Sequence, residues 1–196
     1  MRSLYIVFTC CILAFTSCIG GNNSTTTTAD SAKTAPAPKL QPQSKLNEKG
    51  TAALMAVVSK YYDLKNALVA TKASDADHAA DQLKTMADSM LAFLQTDSVN
   101  KVLLQPFLDT IMMQSKAVTA VMDETCEKKR LAFGTISSAI YGLAKKAELK
   151  NAGVYHEYCP MAFNEKGASW LSAESEIKNP YFGKKMMECG EVTDSL

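Results

Sequence analysis

Between Gly50 and Ala147 apolar residues recur at intervals of three and four, a period that commits most of this chain to amphipathic helices. Leu54, Val57, Tyr61, Leu64 and Leu68 place one apolar stripe on a first helix from about Gly50 to Thr71. Ser74-Asp75-Ala76-Asp77 reads as a stop and a new cap. It opens a second helix over about Asp75 to Gln95, with Ala79, Leu83, Met86, Met90 and Leu94 inward. Asp97-Ser98 caps again. Pro106 has no amide proton for an interior helical bond, so the third element is expected to have a short first part and a long part starting near Pro106. Phe107, Ile111, Ser115, Val118 and Met122 give it a stripe, and Phe133, Ile136, Ile140, Leu143 and Ala147 give one to a fourth helix. Asp123 to Arg130 between them is a loop or one solvated turn, and Lys128, Lys129 and Arg130 read as surface charge. Short connections favour antiparallel neighbours, so the expected fold is all-α, an antiparallel up-down four-helix bundle.

After Asn151-Ala152-Gly153 the helical period is lost. Tyr155, Tyr158, Phe163, Trp170, Tyr181 and Phe182 crowd a short stretch without helical spacing, and Asn179-Pro180-Tyr181 reads as a turn. This predicts an irregular C-terminal segment packed across the bundle, with Trp170, Tyr181 and Phe182 as core anchors.

The N-terminus follows the order of an export signal: Arg2, an apolar run from Leu4 to Phe15, then Thr16 and Ser17 before Cys18. The run is short for a bilayer span. Phe15-Thr16-Ser17-Cys18 resembles the lipobox cut by bacterial signal peptidase, with Phe15 where Leu is usual. Residues 1–17 are therefore expected to be a lipoprotein signal peptide and Cys18 a lipidated N-terminus. The other reading keeps Cys10, Cys11 and Cys18 as apolar residues of an uncleaved anchor. Either places the remainder in the cell envelope, facing the periplasm, with the membrane as its first partner. From residue 18 to 46 the composition turns to Gly, Asn, Ser, Thr, Ala and Pro, which reads as a tether with a root-mean-square span of roughly 30 Å. Residues 47–196 are left as the folded domain, and one core is what that length supports.

Charge is balanced, with 21 Lys and Arg against 20 Asp and Glu, so a basic surface that tracks nucleic acid is not expected. No Gly-rich phosphate loop, nucleophile elbow or helical paired-His motif occurs in the sequence. Glu174 and Glu176 have no nucleophile or second positioned group beside them, and no catalytic residue is assigned: an enzyme is not expected. His78, beside Asp75 and Asp77, reads as a solvated first turn. Met86, Met90, Met112 and Met113 sit at helical spacing and read as packing.

The chain has 10 methionines but 2 histidines, so a transition-metal site would lean on sulfur. Cys159 and Met161 flank a proline, and Met186 and Cys189 are one helical turn apart. If these four sulfurs converge, thiolate and thioether ligands suit Cu(I), and also Ag(I). His156, three before Cys159, is a fifth candidate ligand. Met187 and Cys126 are weaker ones. In an oxidising compartment Cys159 and Cys189 have another use, a structural disulfide closing the irregular segment. Both readings stand at this point.

Cys159-Pro160-Met161-Ala162, Trp170-Leu171-Ser172, Ile177, Asn179-Pro180-Tyr181-Phe182-Gly183, Met186 and Cys189-Gly190-Glu191-Val192 together resemble the signature of a bacterial helical domain of unassigned function. Tyr61, Leu64, Lys65, Ala67 and Leu68, with Phe133 and Ser137, extend the resemblance over about Leu46 to Val192. That domain occurs on envelope lipoproteins and at the C-terminus of periplasmic adaptor subunits of Cus-type heavy-metal efflux pumps. The resemblance establishes no activity; it implies a heavy-metal context, copper first, with an efflux adaptor or pump as partner. Three function classes follow in order: a soft-metal binder accessory to metal handling or efflux, a non-catalytic helical interaction module of the envelope, and a thiol redox protein. The third lacks the Cys-x-x-Cys spacing that rapid exchange favours.

Overall fold

The computed structural model describes residues 41–196. The expected signal peptide, Cys18 and most of the expected tether lie outside the described residues. Four long helices follow in order: α1 Glu48–Val69, α2 Ala73–Phe93, α3 Ser98–Thr119 and α4 Glu127–Lys146. A strand β1 Tyr155–Cys159, a strand β2 Ala168–Ser172 and a strand β3 Glu191–Ser195 complete the chain. Helices consecutive in sequence pack side by side, as the short connections require.

The expected stripes are the buried ones. Leu54, Val57, Tyr61, Leu64 and Leu68 on α1, and Phe133, Ile136, Ile140 and Leu143 on α4, are fully buried. Caps fix where the helices start: Asn47 Oδ1 accepts from Gly50 N at 2.8 Å and Asp97 Oδ1 from Asn100 N at 3.1 Å. Asp123 does the same for α4, accepting from Lys128 N at 2.7 Å.

Several boundaries differ from the sequence expectation. The second helix starts at Ala73 without a side-chain cap, because Ala73 and Ala76 are already buried. Residues 43–46, placed in the tether by composition, lie on the fold: Gln43 bridges to Lys150, and Leu46 is buried. Pro106 does not split the third helix. It sits on the exposed face of α3, where Val102, whose carbonyl would have received the missing bond, is open to solvent. Met122 is fully exposed, since α3 ends before it.

The largest difference is in the tail. The fold is not purely all-α: the segment expected to be irregular is a three-stranded antiparallel sheet of order β2-β1-β3, with Tyr155 opposite Ser172 and Cys159 opposite Ala168. It packs on α4 through β2. The backbones of α1 and α4 approach less closely than those of consecutive helices, and aromatic rings fill the difference. Tyr61 stacks on Phe133 with centroids 5.3 Å apart, and Tyr181 meets Phe133 at 5.7 Å and Trp170 at 5.9 Å. The sheet therefore covers a seam between α1 and α4 that apolar helix stripes alone would leave open.

Candidate functional site

Cys159 ends β1 and is fully buried. Beyond Pro160-Met161 the chain reverses through Phe163, Asn164 and Glu165, all at positive φ, and enters β2 past Gly167. Gly167, at φ +75°, lies against the Tyr158 hydroxyl, where a β-carbon would clash. On the other side of the sheet, Cys189 precedes β3 and is held by Asn179, a fully buried residue. Asn179 Nδ2 donates to Cys189 O at 2.7 Å and its backbone N to Met187 O at 2.8 Å, while its Oδ1 accepts from Tyr181 N at 2.8 Å. The turn asparagine of the sequence is thus a clamp that fixes the Cys189 backbone.

The two cysteines meet. Cys159 and Cys189, 30 residues apart in sequence, form a disulfide with Cα atoms 5.7 Å apart. Met161 and Met186 line one cleft of about 1010 Å³ together with Phe163, Tyr181, Phe182 and Arg130. Met161 is exposed and Met186 half-buried. Met161 and Met186, two and three residues from the bonded cysteines, thus share a corner where α1 stops and α4 starts, in a cleft whose lining does not include Cys159 or Cys189.

His156 does not join them. In a strand an odd spacing sends side chains to opposite faces, so His156 and Cys159 diverge. The His156 ring stacks on Tyr141 with centroids 4.0 Å apart, and its Nδ1 lies 2.7 Å from Thr193 Oγ1; burial holds its pKa below the usual value. Met187 is half-buried and contributes its carbonyl to Asn179. Cys126 is buried and unbonded at the start of α4, and burial pushes its thiol pKa up.

As a donor set, two thiols and two thioethers suit a soft monovalent cation, but only with the Cys159–Cys189 bond reduced. In the oxidised state the corner offers thioethers alone. Among the described residues no group of three or more His, Cys, Asp and Glu converges, at this corner or beyond it.

Two polar features escaped the sequence reading. Lys129 and Arg130, expected at the surface, are buried. Lys129 Nζ reaches Asp77 Oδ1 at 2.6 Å and the carbonyls of Val118, in the last turn of α3, and Val121, just past it. Arg130 donates to Pro180 O at 2.8 Å, Thr125 O at 2.7 Å, Leu68 O at 3.0 Å and Thr71 Oγ1 at 3.0 Å. It joins the C-terminus of α1 to the Pro180 turn and forms part of the cleft wall. The Leu68 and Pro180 carbonyls are distant in sequence, and the nearer ones become partners only through the chain reversal between α3 and α4, so no residue pattern announces them.

The second feature lies under the sheet. Glu157 on β1 is fully buried and neither carboxylate oxygen has a hydrogen-bond partner. The indole N–H of Trp170 lies beside it without hydrogen-bond geometry, and the buried Tyr62 hydroxyl is likewise unpaired. Lys65 donates to Ser172 Oγ at 3.3 Å. Burial pushes the Glu157 carboxyl up to about 7, partly countered by the charge of Lys65, and burial lowers the pKa of Lys65.

Residues 57–152 match the model of a family described as "Protein of unknown function (DUF3347)". The match covers α1 from Val57 through α4 and stops before β1, so the sulfur corner lies outside it. The helical part of the chain is thus similar to a family of unassigned function. No curated protein and no solved structure matches the chain. Among the described residues no helix is long and apolar enough to cross a membrane.

Proposed function

We propose that this chain is a non-catalytic, lipid-anchored envelope protein that holds a soft metal ion, Cu(I) or Ag(I), at its C-terminal sulfur corner when that corner is reduced. The observation that supports the reading is the meeting of Cys159 and Cys189 at bonding distance, with Met161 and Met186, two and three residues from them in sequence, lining one cleft. Opening the bond takes a dithiol donor. Two electrons and two protons pass to the Cys159 and Cys189 sulfurs, and the donor leaves as its own disulfide. The thiols then release their protons as thiolates on binding. Asn179 keeps the Cys189 backbone in place through the change. The setting is the periplasmic face of the envelope, and the partner a Cus-type efflux adaptor or pump, as the family resemblance implies.

A second reading is favoured by the disulfide itself. Here the bond is permanent, the sheet is a stapled cap, and the helical bundle is an interaction module. A Cu(I) titration under reducing conditions against a chromogenic chelator separates the two. Competition by the wild type that vanishes in Cys159→Ser and in Met161→Leu supports the metal reading. Alkylation and mass spectrometry of the protein taken from copper-fed cells adds the redox state: a Cys159–Cys189 bond that stays quantitatively closed leaves the stapled module.

A further inference from the structure

The sulfur corner is at one end of the bundle; the opposite end carries an apolar feature with no role in the core. Val99, Val102 and Leu103, near the start of α3, are exposed at 70%, 75% and 40%, and Pro106 is exposed with them. Their spacing of three, four and seven lays them along one outer face, while Leu104, Leu108 and Ile111 of the same helix face inward. This helix is therefore apolar on two sides over its first turns.

The chain enters the described fold at this same end. Gln43 pairs with Lys150, and Lys45 N donates to Ala147 O at 2.9 Å. The charge of Lys45 also reaches Asp97, the cap of α3. The helix ends gathered there carry exposed Lys45, Lys49, Lys146 and Lys150 and half-buried Lys101 against Glu48, Asp97 and Glu148, which leaves that end positive.

We infer that the outer face of α3 formed by Val99, Val102, Leu103 and Pro106 docks on an anionic lipid bilayer. The inference rests on the reading of Cys18 as a lipid anchor. A second copy of this chain fits the stripe poorly. Four such side chains present on the order of 300 Å², an ordinary surface patch, where a stable protein interface takes about 800 Å² per partner. A bilayer asks for less, because an acyl anchor already holds the chain at the surface and a small apolar and basic contact is a second signal.

The test uses the full acylated chain in vesicles of phosphatidylethanolamine and phosphatidylglycerol carrying brominated acyl chains. A Val102→Trp probe is compared with Ser59→Trp, an exposed position on α1, which packs against α2 and α4 and so faces away from the outer side of α3; buried Trp170 gives the same background in both. Bromine quenching about twofold or more stronger at the Val102→Trp probe is expected for an apolar face buried at the headgroup boundary. Equal quenching at the two positions, with the diacyl mass on Cys18 confirmed, overturns the docking surface. A blue-shifted emission from the Val102→Trp probe without vesicles means that a second copy covers the stripe, and also overturns it. The Cys18→Ser chain, floated on the same vesicles, separates the surface from the anchor. Flotation that is weakened by salt and lost in Val102→Ser/Leu103→Ser upholds the surface even if Cys18 proves unacylated; no flotation by a chain that also lacks the diacyl mass overturns both.

Discussion

The Tyr61 hydroxyl, fully buried on α1, lies 2.8 Å from Ser137 Oγ on α4 and accepts from the backbone N–H of Leu171 on β2 at 3.0 Å. One oxygen thus joins the first helix, the last helix and the sheet across the seam that aromatic rings fill. Tyr61→Phe keeps the stacking on Phe133 but leaves the Leu171 N–H and the Ser137 hydroxyl without that partner in a buried setting. A loss of about 1 to 3 kcal/mol is expected in chemical denaturation. Hydrogen exchange at Leu171 should speed up more than exchange in α2, because the sheet loses its tie to α1.

Arg130 makes an equally non-local connection. Its guanidinium serves three carbonyls and one hydroxyl from three separate stretches of chain, a fork that an ammonium cannot reproduce. Arg130→Lys keeps the charge and is expected to cost about 2 kcal/mol, since two or more carbonyl partners lose their donor. Limited proteolysis should then find the Pro180 turn before it finds the helices. Equal protease resistance of that turn in both proteins would argue that the arginine only fills space.

These two residues mark how far the fold was legible. The helical stripes were readable because a period of three and four is local: Leu54 to Leu68 and Phe133 to Leu143 each needed only their own helix. The sheet was not readable. Its strands are five residues each, joined through a left-handed turn at Phe163 to Glu165, and none shows a clean alternation. Lys129 and Arg130 read as solvated charge because their partners, the carbonyl ends of α3 and α1, are supplied by tertiary packing. For the site, the meeting of Cys159 with Cys189 and the placing of Met161 and Met186 on one cleft were within reach of spacing and residue type. His156 was misplaced because a separation of three means one face on a helix and opposite faces on a strand.

Glu157 gives the chain a pH dependence with a definite sign. Its carboxyl is pushed up to about 7 from an ordinary value near 4.5, so the folded state holds the proton more firmly than the unfolded chain. Its contribution to stability is therefore fully present below about pH 4.5, falls as the pH rises through about 7, and is level beyond. Glu157→Gln removes this dependence while keeping the shape. Melting curves at about pH 5 and about pH 8 should show the variant gaining on the wild type as the pH rises. A wild-type minus variant difference that is flat over that range would mean that Glu157 is ionised throughout in the fold.

The Cys159–Cys189 bond closes a loop of 30 residues. In the chain-entropy model that loop contributes roughly 3.7 kcal/mol, and the double variant Cys159→Ser/Cys189→Ser is expected to lose about that much. The loss should appear in the sheet first, as faster exchange in β1 and β3, with the helices protected by their own core. A variant as stable as the oxidised parent would show that Asn179 and Arg130 alone hold the tail.

Among the helix glycines, Gly142 on α4 is the position where a single methyl group should be felt most directly. A β-carbon there would overlap the Phe107 ring of α3, and that overlap falls on a side chain rather than on backbone. Glycine costs a helix roughly 1 kcal/mol relative to alanine, so an isolated helix would gain from Gly142→Ala. In this bundle the ring must move, and overpacking of a well-filled contact costs about 1 to 3 kcal/mol, so a net loss is expected. Phe107→Leu in the same chain removes the overlap and should recover the helix gain. The double-mutant cycle is therefore predicted to show a favourable coupling of about 1 to 2 kcal/mol between the two changes. Additive effects would mean that the close approach of α3 to α4 does not depend on the missing β-carbon.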